Sequence, residues 1–324
     1  MQRFKNILYV MNNNDGISIK RAGELAVRNN AKLTLLDIVE VIPSWAGDRS
    51  DRLKWEKIQQ LDIKARTKRL ASIAMPYRDK IAIETKVLVG KKFLETIRQV
   101  LKYKHDLVMK DTSISQGLMS RVFTTGDMHL LRKCPCPVLL TKHDNQSDFS
   151  NILAAVDFDD LNDLDGPSAN NSLNTQIMDM SISLANTGNC NLDFIHVYQV
   201  IGEGVLYSGR SGMSDYEVAT YMEDMRRDHK SVVTKLLSRA KKRLGEKLFD
   251  SVNIKLHIVK GNPKIKIPEK AQQLHTDLIV MGTVARTGIP GFFIGNTAET
   301  ILNNINCSVL ALKPEGFISP VTVA

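Results

Sequence analysis

The residues best placed to do chemistry lie between Asp277 and Lys313, in the run DLIVMGTVARTGIPGFFIGNTAETILNNINCSVLALK. A short apolar stretch, Leu278 to Met281, leads into a loop holding Gly282, Gly288, Gly291 and Gly295. Asn296 and Thr297 then open a segment in which Ala298, Ile301, Leu302 and Ile305 recur at helical spacing. A second apolar stretch, Val309 to Leu312, closes the run. Strand, glycine loop and helix start together suit an anion. Glycine lets backbone approach a phosphate, and the first turn of a helix offers unpaired N–H groups and a partial positive charge. Asn296 or Thr297 can cap that helix or donate to a phosphate oxygen. The same loop could also close a turn that binds nothing. It is not a Walker loop, because no Gly-Lys-Ser/Thr follows, and its glycine spacing is not the dinucleotide fingerprint.

Elsewhere the chemistry is sparse. Asp159 and Asp160 could hold Mg²⁺, but they sit in an acidic stretch, DFDDLNDLDG, that reads more simply as a solvated loop. Cys134 and Cys136 are spaced CPC rather than as a redox CxxC pair, and Cys190 and Cys307 stand alone beside strand-like runs. All four read as small buried hydrophobes in a reducing compartment. The seven histidines show no metal-ligand pairing; His196, inside LDFIHVYQV, reads as a satisfied core group. No Ser-His-Asp or Cys-His set is evident, and no residue stands out as a general base or water positioner. No catalytic residue and no metal site are therefore assigned. The chain is expected not to be an enzyme, although slow ATP hydrolysis would be compatible with it.

The elements that must position the glycine loop occur twice. FKNILYVMNN opens the chain, and FSNILAAVDF opens it again from Phe149. Glu24 to Val41 parallels Ser183 to Val200, and Lys86 to Lys91 parallels Leu256 to Asn262. His105 to Ser113 parallels Thr276 to Val284, and Lys133 to Lys142 parallels Ile305 to Lys313. A period this long implies duplicated domains, here placed at residues 1–145 and 146–324. In the first half, strands are expected near Ile7–Val10, Leu33–Val39, Ile81–Val89, Leu107–Lys110 and Val138–Thr141, with helices over Ile17–Asn29, Arg52–Ala74, Phe93–Lys102 and Val122–Arg132. Strand runs apolar on both faces, joined by helix-length crossovers, make parallel sheets covered on both sides. The predicted fold is α/β: two tandem, doubly wound, five-stranded parallel-sheet domains, each with its ligand edge at the strand carboxyl ends. Two insertions follow strand ends in the second half, Asp157–Asn174 and Val200–Glu217. The second, with glycines and with Tyr207, Met213 and Tyr216, could be a lid over a ligand or a surface loop.

Composition narrows the class. The chain has 324 residues, 43% hydrophobic and 24% charged, as in a soluble globular protein. No apolar run reaches the roughly 18–20 residues of a membrane helix. The opening MQRFKNILYV lacks the long apolar segment of a signal peptide, so the cytoplasm is the expected compartment. The net charge is +9 and the pI near 9.3. Much of the charge lies in Lys54–Arg69 and Arg226–Arg243, both of helical periodicity. These could contact nucleic acid, which would show as a steep salt dependence, but no interleaved aromatics accompany them and a solvated helix face accounts for them.

The glycine loop resembles that of the universal stress protein family, whose nucleotide loop reads G-x2-G-x9-G-(S/T). Gly282 fills the first position and Gly295 the third, while Ala285 stands at the second and Asn296 at the fourth. The wider run GTVARTG…GNTAETIL and the internal repeat are similar to the family's tandem members over nearly the whole chain. The resemblance implies the fold of adenine nucleotide alpha hydrolases and a stress-response regulatory role. It also implies an ATP-like ligand, bound with Mg²⁺ but not as an obligatory cofactor, or a nucleotide-containing metabolite, in the second half. Asp157 would lie beside the adenine and ribose, and Val197 would back onto the adenine. Gly282, Ala285, Gly295, Asn296 and Thr297 would surround the ribose and phosphates. The first half departs from the pattern, with Asp111, Ile114 and Thr124 where the second has Gly282, Ala285 and Gly295, and with Asn12 for Asp157. It is therefore expected to have lost nucleotide binding. The family also implies that the halves pair through their last strands, as two single domains would in a dimer; whether two chains associate stays open. An alternative ligand is a larger amphiphile held between the halves, with the apolar tongue of Ile289 and Phe292 at its flank.

Overall fold

In a computed structural model of the chain, the structure describes residues 4–12, 17–42, 49–112, 123–142, 149–158, 169–186, 190–200, 202–208, 211–284 and 294–323. The first half runs β1 (Asn6–Val10), α1 (Ile17–Asn29), β2 (Lys32–Val39), α2 (Arg49–Ala74), β3 (Ile83–Val89), α3 (Lys92–Tyr103), β4 (Leu107–Asp111), α4 (Thr125–Lys133) and β5 (Val138–Thr141). The second runs β6 (Asn151–Ala155), α5 (Ala169–Ala185), β7 (Asn191–Tyr198), the short α6 (Glu203–Tyr207), α7 (Asp215–Leu244), the short α8 (Glu246–Asp250), β8 (Asn253–Lys260), α9 (Pro263–Gln273), β9 (Leu278–Gly282), α10 (Asn296–Asn304) and β10 (Ser308–Leu312). These follow the sequence periodicity closely. The inner strands are buried along almost their whole length because helices lie on both faces.

All ten strands form one sheet, in the order β3-β2-β1-β4-β5-β10-β9-β6-β7-β8. Within each half the strands are parallel, and the central strand is flanked by the two crossovers that wind the domain both ways. The halves meet where β5 and β10 pair antiparallel, with Val138 opposite Ala311, Leu139 opposite Leu310 and Leu140 opposite Val309. This is the last-strand pairing the family resemblance implied. One continuous core packs under α1, α2, α5 and α7, and the other under α3, α4, α9 and α10.

The duplication extends to local chemistry. Asp106 accepts from the backbone N–H groups of Lys5 and Asn6, at 2.6 and 3.0 Å. Asp277 accepts from those of Ser150 and Asn151, at 2.8 and 3.1 Å. Each carboxylate ties the start of its domain's central strand to the helix end before β4 or β9. The antiparallel join turns the carboxyl edge of one half to the opposite end of the sheet from that of the other.

The described residues of the two expected insertions include helix. α5 already begins at Ala169, inside the first insertion. The second contains α6 and the start of α7, where Ser214 and Glu217 form a reciprocal capping box. Tyr207 and Tyr216 are 62% and 81% exposed, and neither they nor Met213 lines the cleft described next.

Candidate functional site

At the carboxyl edge of the second half lies a cleft of about 650 Å³. It straddles the sheet. One wall comes from the α5 and α7 face, with Phe158, Leu173, Ile177, His196 and His229; the other comes from the α9 and α10 face, with Pro263, Ile267, Ala298 and Ile301. The structure brings Asp157, Val197, Gly282, Gly295, Asn296 and Thr297 together along this single cleft. Every described lining residue belongs to the second half, so the cleft lies within that half rather than between the two. Ala285, Ile289, Phe292, Asp159 and Asp160 lie outside the described residues.

The start of α10 makes the site suited to an anion. Its N-cap is Gly295, which has no side chain to close the helix end. The first-turn N–H groups, which no helix can satisfy internally, receive no side-chain cap from that residue. Asn296 and Thr297 are exposed beside them. Gly282 ends β9 packed against Leu173: an added Cβ would sit 2.5 Å from Leu173 Cδ2, so the leucine side chain would have to shift.

The opposite wall is held by side-chain hydrogen bonds. Buried Asn174 clamps the backbone of Asp157, accepting from its N–H at 3.1 Å and donating to its carbonyl at 2.6 Å. His196, 2% exposed on β7, has Nδ1 3.2 Å from the Val156 carbonyl and Nε2 2.9 Å from His229 Nδ1. Tyr198 stacks on the His229 ring at 4.3 Å, and Phe158 meets His196 edge-on at 4.9 Å. Burial, and next the neighbouring His196, push His229 down to about 4.

Among the described residues, the matching place in the first half is nearly filled. Only about 100 Å³ remains there, lined by Asn12, Lys110, Thr124 and Asp127 among others. Lys110, at the β4 position that Met281 holds on β9, reaches Asp127 Oδ1 at 2.6 Å and the Asp111 carbonyl at 3.0 Å. Asp127 Oδ2 accepts from the Thr124 N–H and hydroxyl, and the Thr124 hydroxyl accepts from the Asp127 N–H. That capping box occupies the helix end that Gly295 leaves open on α10. Asp111 is buried and accepts a hydrogen bond from the Thr141 hydroxyl. Lys110 and Asp127 thus fill this place as much as Asp111 does.

Sequence reasoning found the glycine loop and the strand-end positions but not Asn174, Phe158, Tyr198 or His229. Asn174 was read as part of an insertion, and His229 as part of a charged helix face.

A model of the universal stress protein family matches the chain twice, over residues 3–142 and 170–313. Universal stress protein E of Photorhabdus laumondii is 28% identical, over 100% of this chain and 99% of its own length. The protein of the same name from Escherichia coli K12 is 31% identical, over 74% of this chain and 71% of its own. Among solved structures, a putative universal stress protein from Pseudomonas aeruginosa UCBPP-PA14 superposes with a TM-score of 0.68 at 24% identity, over 98% of this chain and 95% of that one.

Proposed function

The chain belongs to the universal stress protein family, and from that premise we propose that it is a nucleotide-responsive stress regulator that binds an ATP-like ligand in its second half alone. One observation carries this reading. Two copies of the same strand-to-helix junction are present, and one is stoppered by Lys110 and Asp127 while the other opens a 650 Å³ cleft onto an uncapped helix start. The phosphates would meet the first-turn N–H groups of α10, with Asn296 and Thr297 as side-chain donors. The planar end of the ligand would lie toward the aromatic and apolar wall of Phe158, Tyr198 and Leu173. Among the described residues no group of three or more His, Cys, Asp or Glu is placed to hold a metal ion. Mg²⁺ would therefore arrive on the phosphates rather than at a protein cage. The role is binding and signalling; no cleft residue is assigned to turnover.

Calorimetric titration of ligand-stripped protein with ATP and Mg²⁺ tests this, with AMP and a UDP-sugar as comparators. Saturable ATP binding is expected, and Gly282→Asp should abolish it by driving a carboxylate into Leu173 and toward the phosphates. Unchanged affinity in that variant would sink the assignment.

A further inference from the structure

One arrangement of protons serves both the Val156 carbonyl and the His196–His229 contact of the imidazole pair in the cleft wall while the two rings are neutral. The Val156 carbonyl can only accept, so His196 Nδ1, 3.2 Å away, carries a proton. His196 Nε2 is then a lone pair. It lies 2.9 Å from His229 Nδ1, which must therefore carry the proton of that contact. The order ends at His229 Nε2, left as an acceptor on a ring that lines the cleft. Two neutral rings are what the site favours: His196 is 2% exposed, and His229 is held near 4 by burial and by His196.

The first half supplies the contrast. β1 pairs with β2 in the register that β6 uses with β7, so Asp37 stands where His196 stands. Asp37 is tied to its own long helix by Arg66 of α2, at 2.8 Å, as His196 is tied to α7 by His229. A strand-to-helix tether is thus common to both halves. An ion pair meets that need without presenting a lone pair to a ligand, since a guanidinium has no acceptor. The second half has replaced it with a pair that ends in an acceptor, beside an aromatic ring stack and at the open site.

We propose that His229 Nε2 reads the base of the bound nucleotide, accepting a hydrogen bond from an exocyclic amino group and so selecting an aminopurine over an oxopurine. This rests on the nucleotide reading above. An oxopurine would set its carbonyl oxygen against the imidazole lone pair, with neither group able to donate. Leaving two acceptors face to face in a partly buried cleft is a discrimination of roughly 10- to 100-fold.

AMP and IMP differ only along this edge, in the 6-substituent and in the proton that N1 carries in IMP, and are the probes. Titrations of the full chain should show AMP binding at least about tenfold more tightly than IMP. In His229→Asn the amide nitrogen takes the place of Nδ1 and keeps the bond to His196, while the distal acceptor is gone. The AMP-to-IMP ratio should then fall toward one, chiefly through weaker AMP binding. Gly282→Asp should abolish both ligands alike. Equal binding of AMP and IMP to the unaltered protein, or an undiminished preference in His229→Asn, would overturn the role of His229 and leave the nucleotide reading standing. Binding of neither would overturn both. Independently of ligand, ¹⁵N spectra of the histidine rings should show both His196 and His229 protonated at Nδ1; an Nε2–H tautomer at His229 would overturn the proposal even if a variant failed to fold.

Discussion

Lys110 and Met281 stand at one position of the repeat, and the difference between them decides whether a cavity exists. A lysine there needs a counter-charge, because its side chain is only 10% exposed and the carboxylate it meets is fully buried. Asp127 supplies that charge and in the same step closes the helix end with its second oxygen. Removing one partner of such a pair is costlier than removing both. Asp127→Ala should therefore destabilise the protein by about 3–5 kcal/mol, through a buried ammonium left with one carbonyl and through the lost cap. Lys110→Met with Asp127→Ala copies the second half's Met281 and Ala298, and should recover most of that loss. Equilibrium unfolding of the two variants measures both, and a double variant no better than the single would mean that the charges are not what couples these residues.

At the scale of elements, α4 and α10 are the same helix with two different beginnings. Thr124 and Asp127 close α4 by a reciprocal box, whereas Gly295 leaves α10 uncapped. A helix normally gains about 1 kcal/mol from a good N-cap, so the open end of α10 is a local stability forgone where a ligand can supply the bonds. The converse can be built. Met281→Lys, Gly295→Thr and Ala298→Asp together transplant the box and its lysine into the second half. Titration should find nucleotide binding below detection while the thermal midpoint stays level or rises, since the cap adds stability and the buried pair is near neutral. Retained binding would mean that the helix start is not the anion site. Most of these elements were legible in the sequence because burial on both faces writes itself as unbroken apolar runs, and because the duplication let each half check the other. The glycine loop was legible for the same reason. Asn174 and His229 were not. Their meaning lies in contacts 17 and 33 residues away along the chain, across a helix and a strand. Helical periodicity states which face a residue is on, but not which polar residue of that face meets a strand end.

The whole molecule is a fused pair whose two carboxyl edges open at opposite ends of a single sheet. Only one edge carries an open cleft among the described residues. The two halves share one join, with the antiparallel β5–β10 pair at its centre. Part of it is made by Lys313, just beyond β10, which reaches across to α4. Its Nζ donates to the Leu131 carbonyl at 2.6 Å and to the Thr283 hydroxyl at 2.7 Å, and is 4.9 Å from the Phe317 ring centre. Burial pushes this amine down from its ordinary 10.5 to about 7. A neutral amine still has the two N–H groups that the two acceptors require, so the contact survives loss of the charge. The pH dependence follows from which state binds the proton. Between about 7 and 10.5 the unfolded chain holds a proton on this lysine that the folded chain has given up, so stability rises with pH across that window and is lost as pH falls through it; below 7 this group adds no further slope. The gain is on the order of 3–5 kcal/mol between neutral and alkaline pH. Lys313→Met keeps the packing of the stem and removes the titration. Denaturant unfolding of both proteins from pH 7 to 10 should give a steeper rise for the unaltered chain, with the other lysines, tyrosines and thiols cancelling in the difference. Parallel curves would show that Lys313 holds its proton across the join, and that the halves are bridged by a buried charge instead.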